Sequence, residues 1–236
     1  MTPPINCPYT TVVLAMSADG KIADETRSPA RFSSPADKLH LEAQVAAADA
    51  VLFGAGTLRA YGTTIRVSQP QLIQQRYQQL LPPQPVQIVV SCSGNIDRQL
   101  PFFQQPVPRY LLTTNDGAKL WQNQSSFEKI IVAEASTKSK INWLNAIGKI
   151  SAMGLNRLAV LGGGEVVAGM LAADLIDELW LTICPLLLGG NAPTPVGGAG
   201  FAEIVAPRLE LLSAKVIASE VFLHYRRQRG SKLSTL

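Results

Sequence analysis

The sequence predicts an α/β fold of three layers, with helices on both faces of a mostly parallel mixed sheet and an antiparallel hairpin at the C-terminus. Two observations support this prediction. Between residues 10 and 190, short apolar runs typical of buried strands alternate with longer runs typical of helices. Residues 208–228 contain two strand-like runs joined by a short connection, which is typical of an antiparallel pair.

The predicted elements follow one another along the chain. The first helix has the clearest start, since Ser34 fits its N-cap, Pro35 its first turn and Asp37 its third position. The Gln- and Pro-rich segment 68–85 resembles an exposed helical insertion between strands. The other predictions are strands at 10–17, 50–58, 86–94, 109–114, 129–133, 157–164 and 177–190, and helices at 33–49, 141–154 and 165–174.

Composition predicts one packed domain spanning residues 1–236, with its core at about 10–228. Hydrophobic residues make up 47% of the chain and charged residues 16%, which is typical of a globular protein. The net charge of +4 is densest at residues 224–232. Such a basic tail can contact nucleic acid or a membrane, but a solvated chain end is the favoured explanation, so neither partner is expected.

The cysteines and histidines predict neither a disulfide framework nor a metal site. Cys7, Cys92 and Cys184 are far apart and odd in number, and neither His40 nor His224 has ligand spacing with them. The first residues lack the features of a signal peptide, and no apolar run approaches about 18 residues. We therefore expect a cytoplasmic protein.

Glycines follow two of the predicted strands at the point where a helix begins. The segment RLAVLGGGEVVAGML, residues 157–171, fits either a tight turn or an anion site built from backbone N–H groups. The GxGxxG fingerprint fails because Val167 occupies the third glycine position, and the Walker pattern fails because Met170 and Leu171 replace its last residues. FGAGTLRAYG, residues 53–62, forms a second glycine corner, and together the two corners can hold one pyrophosphate-linked cofactor.

A third segment, LAMSADGKIA at residues 14–23, ends a strand in small residues before an Asp19-Gly20 turn. Together with the two glycine corners, it resembles the reductase domain of the bifunctional riboflavin-biosynthesis deaminase–reductase family, which has a dihydrofolate-reductase-like fold. The match continues through SSPAD, IVVSCSG and LIDELWLTICPLLLGG and covers about residues 10–195. The zinc-deaminase signature, HxE with PCxxC, is absent from the sequence, so the resemblance covers the reductase domain alone.

The resemblance implies NADPH as the cofactor and 5-amino-6-(5-phosphoribosylamino)uracil as the substrate, reduced at the sugar C1 to a ribitylamino product. It also implies a homodimer, for which the apolar strand near residue 180 and the C-terminal hairpin offer a surface. The implied cofactor-binding residues are Ala15, Gly54, Gly56, Thr57, Tyr61, Ser91, Cys92, Ser93, Leu161, Gly162, Gly163, Gly164, Glu165 and Val166. The implied catalytic residues are Ser17 and Asp19, and the implied substrate-binding residues are Lys21, Ser33, Ile65 and Arg66.

Each of the charged candidates also has a simpler interpretation. Asp19 either orients a proton donor or stabilises the turn, with the turn slightly favoured, and Lys21 is better explained as a solvated cation. Arg66 either pairs with the substrate phosphate through its guanidinium fork or lies in solvent on a loop. The resemblance therefore leaves the substrate side of the site open.

The chain departs from the family pattern at three places. The acid that often precedes the glycines is missing, and Glu165 follows them instead; Tyr61 and Gly62 replace an acidic or amide residue and a proline. Cys92 replaces an arginine, which weakens the case for the 2′-phosphate of NADP, although Arg98 is a possible substitute.

Two alternatives therefore stay open: a reductase of the same fold for a pterin, dihydrofolate or another substrate, and a non-catalytic nucleotide-binding regulator. Against a pterin, capping explains Asp37, so no carboxylate in the first helix is clearly poised for protonation.

Overall fold

A computed structural model describes residues 7–137 and 139–229 of the chain. The helices of this part are α1 (Pro35–Ala47), α2 (Ala55–Tyr61), α3 (Pro70–Gln78), α4 (Asn115–Lys119), α5 (Trp143–Ala152) and α6 (Gly164–Ala172). The strands are β1 (Tyr9–Ser17), β2 (Ala50–Gly54), β3 (Val86–Val90), β4 (Arg109–Thr113), β5 (Lys129–Val132), β6 (Arg157–Val160), β7 (Glu178–Cys184), β8 (Arg208–Ile217) and β9 (Glu220–Gln228).

The described strands form one sheet in the order β5-β4-β3-β2-β6-β1-β7-β9-β8. Strands β1 to β7 pair in parallel, whereas β9 runs antiparallel to both β7 and β8. The predicted fold class is therefore confirmed. The predicted strand at 50–58 is too long, because Gly54 ends β2 and the helix-forming run after it becomes α2. The strands predicted at 86–94, 157–164 and 177–190 likewise end early, at Val90, Val160 and Cys184.

Helices cover both faces of the sheet because successive strand residues point to opposite sides. Leu52 of β2 packs in one hydrophobic cluster with α5 and α6. Its neighbours Val51 and Phe53 pack in a second cluster with α1 and α2. The near-continuous apolar character of the central strands follows from this burial on both faces.

The Gln- and Pro-rich segment contains a helix, as predicted, but this helix is docked on the domain rather than simply exposed. The guanidinium of Arg76 in α3 is buried and donates to two carbonyls at the end of α1 and to the carbonyl of Pro82, each at 2.7 Å. In return, Glu42 of α1 accepts the backbone N–H groups of Ser68 and Gln69. Each helix therefore satisfies unpaired backbone groups at an end of the other.

Two features bear on the expected partners. The cations near the C-terminus are paired with acids, since Arg226 lies 3.5 Å from Glu178, and Arg229 contacts both Asp174 and Asp177. The rest of the basic tail, residues 230–236, lies outside the described residues. In the part of the chain that the structure describes, no helix has the length and apolar character needed to span a membrane.

Candidate functional site

The two glycine corners lie side by side at one edge of the sheet. Strands β2 and β6 are parallel neighbours, so their carboxyl ends meet. The N–H of Gly54 donates to the carbonyl of Gly162 at 2.9 Å. A Cβ atom on Gly54 would lie 3.3 Å from Val166 and 3.6 Å from the nitrogen of Gly163. Residues more than 100 positions apart in sequence therefore form one continuous surface of bare backbone.

The helix that opens at this surface has no side-chain cap. Ser34, Thr114 and Asn142 cap helices α1, α4 and α5 with their side chains. The N-cap of α6 is Gly163, which has no side chain to do so. The first N–H groups of α6 and the positive end of its dipole therefore suit a phosphate.

The three glycines of the corner have different surroundings. Gly162 has a φ of +100°, which glycine adopts readily, and its peptide bond to Gly163 is cis. Gly164 instead packs against the loop after β7, where a Cβ atom would stand 2.5 Å from the carbonyl oxygen of Thr194. Glu165 holds the same loop by accepting the N–H of Gly198 at 2.9 Å. The Cα atom of Gly164 is therefore covered by this loop, whereas Gly162 and Gly163 line the neighbouring cavity.

A cavity of about 360 Å³ opens beside Gly162 and Gly163. Its walls come from β1, α1, α2, the end of β6 and the segments after Gly20 and Gly62. Apolar side chains dominate, with a few polar groups among them, as is usual for a small-molecule site. The lining residues are Val13, Leu14, Ala15, Ile22, Ala30, Phe32, Ser33, Asp37, Lys38, Leu41, Phe53, Thr57, Tyr61, Thr63, Thr64, Ile65, Leu161, Gly162 and Gly163.

The residues predicted for the site fall into four groups. Those that line the cavity are Ala15, Ser33, Thr57, Tyr61, Ile65, Leu161, Gly162 and Gly163. Gly54, Gly56, Gly164, Glu165 and Val166 belong to the two glycine corners, and Ser91, Cys92 and Ser93 follow the neighbouring strand β3. Ser17, Asp19, Lys21 and Arg66 are outside the lining.

The Asp19-Gly20 segment is a turn, and Asp19 holds it together. Its carboxylate accepts the hydroxyl of buried Ser17 at 2.6 Å and the N–H groups of Leu188 and Gly189 at 3.0 and 2.7 Å. These hydrogen bonds lower the pKa of Asp19 to about 2. The carboxylate is therefore ionised at neutral pH and has no proton to donate, which favours the turn interpretation over a direct acid role.

The residues after β3 are fixed mainly through their backbone. Thr113 donates its hydroxyl to the carbonyl of Ser91 at 2.6 Å, and Thr114 donates to that of Cys92 at 2.7 Å. The Cys92 side chain packs against the hydrophobic cluster beneath α5 and α6, and burial raises the pKa of its thiol. It therefore offers no positive charge to a 2′-phosphate.

Arg98, the other candidate for that phosphate, already has partners. Its guanidinium lies 5.1 Å from the ring centre of Trp121 and donates to the carbonyl of Leu120 at 3.1 Å. The same guanidinium retains further N–H groups, because arginine carries five. A phosphate site at Arg98 would therefore have to share this side chain with Leu120 and Trp121.

Asp37 is a cavity residue that the sequence assigned to capping. Its N–H does enter the cap, donating to Ser34 Oγ at 3.2 Å. Its carboxylate does not, because the N–H of Ser34 donates to Glu220 at 2.8 Å and the Ser34 hydroxyl also contacts Glu220. Asp37 is 6% exposed and lines the cavity. Capping therefore does not explain this carboxylate, and the polar wall of the cavity contains an acid.

The positive charge at the cavity comes from Lys38, the residue after Asp37. Lys38 lines the cavity and is exposed, whereas Arg66 is exposed but lies outside the lining. The Tyr61 hydroxyl, also in the lining, donates to the carbonyl of Ala30 at 3.1 Å and so holds the segment after Gly20. Lys38 is therefore the cation among the lining residues that a phosphate in the cavity could contact.

Comparison with known proteins gives a consistent family. The model of the RibD C-terminal domain matches residues 8–223. The 2,5-diamino-6-ribosylamino-4(3H)-pyrimidinone 5′-phosphate reductase of Archaeoglobus fulgidus is 24% identical over 197 residues, which cover 83% of this chain and 89% of that protein.

Two solved structures have the same fold. A pyrimidine reductase-like protein from Corynebacterium diphtheriae has a TM-score of 0.79 at 21% identity, covering 96% of this chain and 94% of that one. The diaminohydroxyphosphoribosylaminopyrimidine deaminase/5-amino-6-(5-phosphoribosylamino)uracil reductase of Thermotoga maritima has a TM-score of 0.72 at 16% identity, covering 94% of this chain and 57% of that one. These likenesses agree with the fold that the sequence resemblance implies.

Proposed function

Because the chain belongs to the family of RibD C-terminal domains, we propose that it is an NADPH-dependent reductase of riboflavin biosynthesis. Its substrate is a phosphorylated ribosylaminopyrimidine, and its product is the ribitylamino compound. The observation that supports this proposal is the cavity, whose lining includes both bare glycine backbone and polar residues of α1. A nucleotide cofactor and a polar substrate can therefore meet in one cavity.

The chemistry requires one hydride and one proton. When bound, NADPH supplies the hydride to sugar C1 of the ring-opened C=N form, and the proton goes to the nitrogen. The chain's own contribution is to hold and orient the reactants. Gly162 and Gly163 allow close approach to the backbone, Thr57 offers a hydroxyl beside them, and Leu14 and Phe53 help exclude water.

A second candidate function is the reduction of a pterin or dihydrofolate. The burial of Asp37 in the cavity favours it, since a carboxylate pairs with the amino edge of a pterin as well as with that of a pyrimidine. Lys38 favours the phosphorylated pyrimidine instead, because it adds a cation at the same wall. Turnover of dihydrofolate without turnover of the pyrimidine phosphates would select the second function.

The test is to titrate the protein with NADPH and NADH by calorimetry and then to follow NADPH absorbance with each substrate. We expect binding of NADPH and its oxidation when a ribosylaminopyrimidine phosphate is added. Binding without oxidation by any substrate would indicate the regulator instead. A folded protein with no affinity for either nucleotide would refute the proposal.

We infer further that the reductase is a cytoplasmic homodimer. Strand β8 is an edge strand with exposed apolar side chains, including Leu211 at 52% and Val216 at 73% exposure. Such an edge favours pairing with another chain. The three cysteines are unpaired, which fits a reducing compartment. Light scattering should give twice the monomer mass, and Val216→Glu should halve it; a monomeric wild-type protein would refute the dimer.

A further inference from the structure

We propose that Asp37 recognises the 2-amino edge of the pyrimidine, so that this enzyme reduces its substrate before the 2-amino group is removed. The inference rests on the proposed function and deepens it. It differs from the uracil substrate implied by the sequence resemblance. The names of the relatives above mention two pyrimidines, 2,5-diamino-6-ribosylamino-4(3H)-pyrimidinone 5′-phosphate and the corresponding 5-amino-uracil. In our proposal, the side chain of Asp37 determines which of the two binds.

The first step is that the Asp37 carboxylate accepts no hydrogen bond from the described residues of the protein. Its expected capping partner, the N–H of Ser34, is bound by Glu220. Across residues 7–137 and 139–229, no hydrogen bond to the carboxylate of Asp37 is formed, although the residue is 6% exposed. The carboxylate oxygens of Asp37 are not among the fully buried, unpartnered side-chain atoms of the described residues, so they are accessible from the cavity that Asp37 lines. A carboxylate in such a place gains free energy when donors reach it. The cavity is the direction from which a ligand can supply them.

The second step is the position of this carboxylate in its helix. Asp37 is in the first turn of α1, a helix of 13 residues, where the positive end of the helix dipole favours an acidic side chain. An ionised carboxylate only accepts hydrogen bonds. Asp37 therefore selects a ligand edge that carries donors and disfavours one that carries an acceptor.

The two pyrimidines differ at that edge. The 2-aminopyrimidin-4(3H)-one ring presents N3–H and an amino N–H side by side, which match the two oxygens of a carboxylate. The uracil ring presents N3–H beside the C2 carbonyl, so one oxygen of Asp37 would face another acceptor. A site built around a hydrogen-bonding group discriminates strongly against an analogue that leaves it unpaired.

This preference fixes the order of two reactions. The enzyme takes the 2-amino compound, adds a hydride and a proton at the sugar, and releases a ribitylamino product that still carries its 2-amino group. A hydrolytic deamination must then consume that product, with water entering at C2 and ammonia leaving. A uracil-specific reductase would require the opposite order.

The test compares two bare rings that lack sugar and phosphate, 2,5,6-triaminopyrimidin-4(3H)-one and 5,6-diaminouracil. Binding to the intact protein with NADPH present is measured by calorimetry under anaerobic conditions. We expect the triamino ring to bind about 100-fold more tightly, the difference typical of charge-assisted hydrogen bonds. In Asp37→Asn the preference should fall to a few-fold, because the amide can donate to the C2 carbonyl.

Two further variants separate recognition from folding. Asp37→Ser should also lose the preference, and Glu128→Gln, an exposed acid to amide change before β5, should retain it. Unfolding midpoints of all variants check that each is folded. Equal binding of the two rings by wild type, or a preference that survives in both Asp37 variants, would overturn the inference.

Turnover then distinguishes this inference from the proposed function. Oxidation of NADPH by the diamino phosphate, much faster than by the uracil phosphate, supports both. A different result is a preference for the triamino ring that depends on Asp37, together with turnover of dihydrofolate but of neither pyrimidine phosphate. That result would retain the role of Asp37 in recognising the amino edge. It would overturn the riboflavin-pathway assignment and the reaction order. Faster turnover of the uracil phosphate overturns the inference and leaves the reductase function standing.

Discussion

Thr57→Val removes one hydroxyl from the wall where the glycine corners meet. The Oγ1 atom of Thr57 lies 3.7 Å from the position of a Cβ on Gly163 and 4.0 Å from that of a Cβ on Gly162. Within the described residues this side chain donates no hydrogen bond, and it lines the cavity. The change should therefore alter the free energy of unfolding by no more than about 0.5 kcal/mol.

The effect on the cofactor should be larger. A hydrogen bond to a charged phosphate oxygen contributes about 1.5–3 kcal/mol. Since about 1.4 kcal/mol corresponds to a factor of ten, the Kd for NADPH should rise at least about tenfold in Thr57→Val. Calorimetry at fixed ionic strength measures this, with thermal unfolding as the check on the fold. An unchanged Kd would refute the assignment of Thr57 to the cofactor, and so would a weaker Kd accompanied by an equal loss of stability.

Three further changes test the packing around the site. Gly164→Ala places a methyl 2.5 Å from the carbonyl oxygen of Thr194. The substitution should therefore lower the free energy of unfolding, measured by denaturant titration, by about 1–3 kcal/mol. An unchanged free energy of unfolding would contradict the close packing. Arg76→Met leaves buried carbonyls unpaired and should lower the melting midpoint by about 10 °C, whereas exposed Tyr77→Ala should change it little. Burial lowers the pKa of His40 below 6.5, so the unfolded chain binds its proton first as the pH falls. Stability should therefore decrease from pH 7 to 5, with a smaller decrease in His40→Phe; equal decreases would show that other groups cause it.

Features set by short stretches of sequence were predictable. The cap at Ser34, the turn at Asp19-Gly20 and the strand-to-helix glycine corners each depend on residues within a few positions of one another. The physical rules for these features are local, because they concern φ angles and unpaired backbone groups. The lengths of the strands were less well predicted. A glycine such as Gly54 is compatible with either the end or the interior of a strand, so the sequence around it does not fix where the strand ends.

The polar residues that line the cavity could not be identified from the neighbouring sequence alone. Ser34 and Asp37 have the spacing of a capping box, and only the presence of Glu220, 186 residues after Ser34, reveals that the acid is not needed there. Arg76 is a second example. The local sequence of a Gln-rich helix does not indicate that its arginine donates hydrogen bonds to carbonyls at the end of α1. Both side chains acquire their roles from contacts between distant segments.

Different parts of the fold hold the two sets of residues that line the cavity. The glycine corner comes from two adjacent central strands, so its geometry is fixed by the core of the sheet. The part of the lining that comes from α1 depends on Glu220, which begins β9 and whose carboxylate holds the N-cap of α1. Without that contact, the N–H of Ser34 would be available to Asp37, and a capping box would draw the acid away from the cavity. The C-terminal hairpin therefore influences which ligand edge the site accepts, although it supplies none of the residues that line the cavity.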